Sequence, residues 1–252
     1  MLKSIFKSAL PHLMAVAIFA VVAIIYCKPA LEGKVLQQQD IVQWKGMARD
    51  AMQFAEKNGQ HPLWTNSMFG GMPTYQITGV PGFAFTIGLL DNFLTLHLPE
   101  PINLFFLACI CFYFLACVLG FNNIISIIGA LAYSYATYNP IIVTVGHITK
   151  MHAIAYLPFF IAALLLIFQK KYLWGTVLTG IATALFVGAN HIQITYYGLI
   201  IVAFMSLFHL AKWVKEKQFN HIFKTFIAAC IGGLLGVAVN APLLASTYEY
   251  GK

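Results

Sequence analysis

PINLFFLACICFYFLACVLG, residues 101–120, carries no charged side chain between Ile102 and Leu119. A membrane-crossing helix needs about 20 predominantly apolar residues, and this run comes close to that length. Comparable runs occur at Leu10–Cys27, Ile124–Tyr138, Ala153–Phe168, Tyr172–Val187, Ile192–Leu210 and Phe226–Leu244. The whole chain agrees with them, being 252 residues long, 60% hydrophobic and 9% charged. Soluble domains carry about 25% charged residues, so a bilayer must solvate much of this apolar surface. The expected fold class is an all-α membrane protein, a polytopic bundle with about seven transmembrane helices. Pro140 is expected to mark the exit of the third span and Pro242 to bend the seventh.

The first run, behind Lys3 and Lys7, has the charge of a signal peptide. It exceeds the usual apolar region, and no small-x-small cleavage site precedes Lys28, so an uncleaved first span is expected. Cys27, Cys109, Cys111, Cys117 and Cys230 lie in or beside apolar runs and read as small apolar fillers. The formal charge of +7 sits in small groups beside the runs, which suits membrane orientation and argues against a nucleic-acid partner.

Between the first and second runs lies a polar interruption, Lys28 to Glu100. It holds Glu32, Asp40, Asp50, Glu56, Asp91 and Glu100, six of the eight acidic residues in the chain. With the N-terminus cytoplasmic, Lys3, Lys7, Lys170, Lys171, Lys212, Lys215, Lys217 and Lys224 fall inside, against Lys150 and Lys252 outside. The C-terminus is then extracytoplasmic, and any functional site opens to the outer face. The chain divides into a tail and first span (1–27), a long extracytoplasmic loop (28–100) and six further spans (101–252) of one module.

Within the loop, Ile41 to Lys57 has helical periodicity. Ile41, Trp44, Met47, Ala48, Ala51, Met52 and Ala55 share one arc, suited to lying in the membrane interface or to packing on the rest of the loop. Asp40 stands where an N-cap belongs; it is either a cap or a carboxylate serving as general base or metal holder. Asp50 falls on the polar arc. Trp64, Asn66, Phe69 and Tyr75 lie in a turn-rich segment, where the aromatic side chains are either a sugar- or lipid-facing wall or interface anchors.

In Gly146-His-Ile-Thr-Lys-Met-His152, Lys150 either meets an anion such as a lipid phosphate or snorkels. His147 and His152 are five apart, about 140° round a helix, and do not form a paired metal site there. Asn190, His191 and Gln193 sit between two runs and are expected to face the bundle interior or a wet cavity. No nucleophile elbow, phosphate-cradling glycine loop or Cys/His dyad is present, which disfavours hydrolases and nucleotide-driven pumps.

Taken together, V-L-x-x-x-D with a Trp four residues later, LWTNSMFGGMP-x-Y, PINLFFL, GH-x-TK-x-HAIAY and NH-x-QITYY resemble the YfhO-like polytopic membrane proteins of bacteria. That family is similar to the GT-C class of glycosyltransferases. The resemblance implies a multi-pass protein of the bacterial cytoplasmic membrane with a polyprenyl-phosphate-linked sugar as donor and a cell-envelope acceptor. It places Asp40 at the catalytic acidic position, with Asp50 in reserve. The expected substrate-binding set is Asp50, Trp64, Asn66, Tyr75, His147, Lys150, His152, Asn190, His191 and Gln193. No resident metal site is expected, and a divalent cation is left open as a cofactor. Members of that family are typically several times longer, so the resemblance implies that the chain is expected to correspond to an N-terminal portion. The alternatives are a transporter or flippase of lipid-linked substrates and an inactive structural fragment.

Overall fold

The computed structural model describes residues 2–78 and 84–251, and Lys252 of the expected outer set lies outside them. Helix α1 (Leu2–Tyr26) contains the first apolar run, and a single turn, α2 (Lys28–Leu31), follows it. The interruption then folds as α3 (Gln39–Asn58), a strand pair β1 (Trp64–Thr65) and β2 (Met72–Pro73), α4 (Tyr75–Thr78) and α5 (Ala84–Leu94). The rest is α6 (Ile102–Val118), α7 (Asn123–Ser134), α8 (Tyr138–Val145) and α9 (Ile148–Phe168), then α10 (Tyr172–Gly188), α11 (Ile192–Lys215), α12 (Phe219–Val239) and α13 (Ala241–Tyr250). This is the architecture of a helical membrane protein. Four helices, α1, α9, α11 and α12, are long and apolar enough to cross a membrane; α6, α7 and α10 are apolar but shorter.

The boundaries differ from the sequence expectation for local reasons. The third run does not continue to Tyr138. Buried Asn139 donates to the carbonyls of Tyr133 and Ser134, and Ser134 donates to that of Phe105. These bonds satisfy groups at the end of α7 and turn the chain into α8. Pro140 therefore lies in the first turn of α8, where a missing N–H costs nothing. Near the chain's end the break falls at fully buried Asn240, whose amide donates to the carbonyls of Ala184 and Gly236. Pro242 starts α13 and does not bend a continuous span.

Helix α9 is the axis. Its apolar stretch is 78% buried, against 17%, 11% and 22% for α1, α11 and α12, whose remaining surface is the part that lipid would cover. Pro158 inside α9 cannot bond the carbonyl of Ile154, and the Tyr133 hydroxyl donates to that carbonyl at 2.7 Å. On α12, Gly232 and Gly236 meet α10 so closely that a methyl group at Gly236 would lie 2.6 Å from the Gly180 carbonyl oxygen. Small residues four apart permit this close helix approach.

The packing separates two ends. At one, Lys170, Lys171, Lys212, Lys215 and Lys217 gather at the helix junctions α9–α10 and α11–α12. At the other lie the starts of α9 and α11, and the interruption folds against the start of α9.

Candidate functional site

Helix α3 is longer by two residues at its start than its periodicity suggests. The N-cap is Gln38, not Asp40. Gln38 makes no capping bond; its side-chain amide reaches across to the Val143 carbonyl at 2.6 Å. Asp40 falls in the first helical turn, where a carboxylate still benefits from the positive end of the helix dipole. The apolar stripe of α3 packs largely on the interruption itself. Ala48 and Ala51 are buried, and the Trp44 indole donates to the Ile77 carbonyl at 2.8 Å, while Met47 and Met52 remain exposed.

Gly146 ends α8 in a left-handed conformation, φ +105°, and the chain re-enters helix at Ile148. His147 is thus the N-cap residue of α9, and the GHITKMH segment is mostly the first turns of that helix. His147 Nδ1 lies 3.0 Å from Asp40 Oδ2, with side chains 48% and 38% exposed. A pair so open to water contributes at most about 1 kcal/mol to stability. Its consequence is orientation: one carboxylate oxygen is engaged by the imidazole.

One turn on, Lys150 is half-buried with its ammonium 5.1 Å from the centroid of the Tyr138 ring. Among the described residues no carboxylate pairs with it. His191 stands at the N-cap of α11, its Nδ1 accepting from the Ile194 backbone amide at 3.4 Å. The His191 imidazole titrates below the usual histidine range, first because burial disfavours its charged form, and then because Lys150 and His147 bring positive charge near it. The structure therefore brings Asp40, His147, Lys150 and His191 to one end of the bundle.

The neutral form of His191 is the one that accepts from Ile194. Its contribution to the fold is present above the ordinary histidine value and is lost as pH falls through the depressed one. Replacing Lys150 with Gln removes a positive neighbour. The His191 titration is then expected to move upward, measured by the pH dependence of its carbethoxylation. An unchanged midpoint would show that Lys150 does not act on it.

The remaining predicted residues lie elsewhere. Asp50 is exposed, ten residues along α3 from Asp40, or about 15 Å of helix rise. Trp64 donates to Asn66 at 3.0 Å, and its indole covers Gly71, so both residues order the hairpin turn. Tyr75 is half-buried at the start of α4. Asn190 is exposed at φ +54° and closes the turn after α10; Gln193 donates to Tyr197 on an exposed face. Neither faces the bundle interior, because the turn between α10 and α11 places both on the outside. His152 points away from His147 to a different carboxylate, Asp91. Sequence reasoning missed Asp91 as a site residue, although an aspartate within the apolar sequence FTIGLLDNFL demands a partner.

A cavity of about 390 Å³ adjoins the cluster. Tyr26, Phe105, Val143 and Ile148 line it, with Lys34 and Gln38 among its polar groups. Asp40, His147, Lys150 and His191 are not in its wall; Gln38, Val143 and Ile148 connect it to them. Among the described residues no group of three or more His, Cys, Asp and Glu side chains is arranged to hold a metal. Asp40 and His147 alone do not fit a resident divalent cation. No family model matches the chain, and comparison with curated proteins and with solved structures likewise finds no match.

Proposed function

We propose that the chain is a GT-C-like membrane glycosyltransferase module. It transfers a sugar from a polyprenyl-phosphate donor to a cell-envelope acceptor on the extracytoplasmic face of the bacterial cytoplasmic membrane, with the N-terminus inside. The observation that carries this reading is the 3.0 Å pairing of Asp40 with His147 near the Lys150 ammonium, which lies over the Tyr138 ring and among the described residues pairs with no carboxylate. Group transfer between a lipid phosphate and a hydroxyl needs both functions: a base for the hydroxyl and a positive charge for the phosphate.

In this mechanism His147 holds one oxygen of the Asp40 carboxylate, leaving the other for the acceptor. The acceptor oxygen bonds to the anomeric carbon as its proton passes to Asp40. The bond from that carbon to the phosphate oxygen breaks, and polyprenyl phosphate leaves with the electron pair. Lys150 offsets the charge that grows on the phosphate, and His191, neutral and close by, is placed to hydrogen-bond it. No step runs through a metal.

A second reading, a carrier of lipid-linked substrates, is favoured by one observation. The cavity, largely apolar with Lys34, Gln38 and Glu100 in its lining, does not include the four cluster residues, so it offers a seat apart from them. One experiment separates the two readings. The protein in vesicles receives a labelled polyprenyl-phosphate sugar and a cell-envelope acceptor fraction. Label appearing in the acceptor is the expected result. Movement of the labelled lipid between leaflets without transfer would establish the carrier, and neither event would reject both.

A further inference from the structure

We propose that Asp91 is a positioning residue for this cluster, holding the first turns of α9 in the setting that brings His147 and Lys150 towards Asp40 and His191. The inference rests on the reading of the cluster as the working site. Asp91 sits on α5, and its Oδ1 lies 3.6 Å from His152 Nε2, with side chains 21% and 19% exposed respectively. The Tyr156 hydroxyl donates to the same oxygen. His152 and Tyr156 are four apart on α9 and so share one face, with their rings stacked at 6.3 Å. The other ring nitrogen of His152, Nδ1, lies 3.2 Å from the Ile148 carbonyl in the first turn of α9. One imidazole thus links the start of α9 to a carboxylate outside it.

His152 Nδ1 lies within hydrogen-bond reach of the Ile148 carbonyl while Nε2 faces the Asp91 carboxylate at 3.6 Å. This contact is more withdrawn from water than Asp40–His147, so removing one partner has a larger consequence. The titratable groups that face Asp91 are His152 and Tyr156 on α9, with the Cys111 thiol on α6 the next in electrostatic reach. Helix α10 also packs on α5 and carries no charged side chain. His147 at the N-cap meets Asp40 and His152 within the helix meets Asp91, so the start of α9 is held by two separate carboxylates. Both carboxylates come from the interruption, Asp40 from α3 and Asp91 from α5. Loss of the Asp91 grip leaves Lys150, two residues from His152, free to turn.

The test uses the whole chain in lipid nanodiscs and reads acylation of individual lysines by mass spectrometry at fixed pH. In Asp91→Asn, labelling of Lys150 is expected to rise roughly threefold or more, as local protection is lost. Exposed Lys28 and Lys34 should label as before. Asp91→Glu should restore most of the protection at Lys150. An unchanged labelling rate at Lys150 in Asp91→Asn would overturn the proposal. If Asp91→Asn raises labelling at every lysine, the fold is lost, and His152→Gln decides instead: a selective rise at Lys150 supports the proposal and its absence overturns it. No sugar donor is involved, so absence of transfer activity in the wild type would reject the proposed function without touching this result.

Discussion

Asp40→Asn is expected to lower sugar transfer by about 10²- to 10⁴-fold, the range that a positioned general base contributes. The substitution keeps the shape of the side chain and a carbonyl oxygen that His147 can still donate to. What it removes is the capacity to take a proton from the acceptor. Asp40 is half-exposed at the start of α3 and is not the N-cap, so helix content and thermal unfolding should change little. The loss should fall on kcat, with the donor KM nearly unchanged, because Lys150 and His191 remain in place to meet the phosphate. Initial rates at saturating donor are the measurement. A variant with wild-type kcat would remove Asp40 from the chemistry and leave its contact with His147 as a helix-docking device.

How far the sequence reaches can be judged from single residues. Helix α3 is legible because its apolar positions recur at helical spacing, and the structure extends it only to Gln39–Asn58. The cap was misplaced because an aspartate is the better capping residue, whereas the packing of Gln38 against the Val143 carbonyl fixes where the helix begins. The grouping of Asp40, His147, Lys150 and His191 was expected from their shared outer placement, but not their pairing. That depends on Gly146 turning the chain directly into α9. Asp91 escaped notice because its partners, His152 and Tyr156, are distant in sequence. The apolar runs were legible, but apolarity does not distinguish a lipid-facing helix such as α11 from the buried axis α9. Nor does it show that Asn139 and Asn240 will break helices with side-chain bonds.

The same turn supplies the second large effect. Gly146→Ala is expected to cost activity on the scale of Asp40→Asn, although residue 146 touches no substrate in the proposed mechanism. Gly146 holds φ at +105°, where a side chain is strained by about 1–3 kcal/mol. A methyl group there would also lie 3.1 Å from Gln38 Cβ, 3.1 Å from Ile41 Cγ1 and 3.3 Å from Asp40 Cβ. All three neighbours belong to the start of α3, so the strain is relieved most directly by that helix end backing away from α9. Asp40 would then leave His147, and a displacement of about 1 Å at a reacting group can cost 10²-fold. Gly59→Ala separates this effect from backbone strain alone. Gly59 closes α3 at φ +68° with open space where its Cβ would go, so it should lower stability and leave the rate intact. The double variant Gly146→Ala with Asp40→Asn should lose no more than about the larger single loss, since both act on one contact. Fully additive losses, or a Gly146→Ala protein as active as the wild type, would show that the approach of α3 to the α8–α9 turn does not set the site.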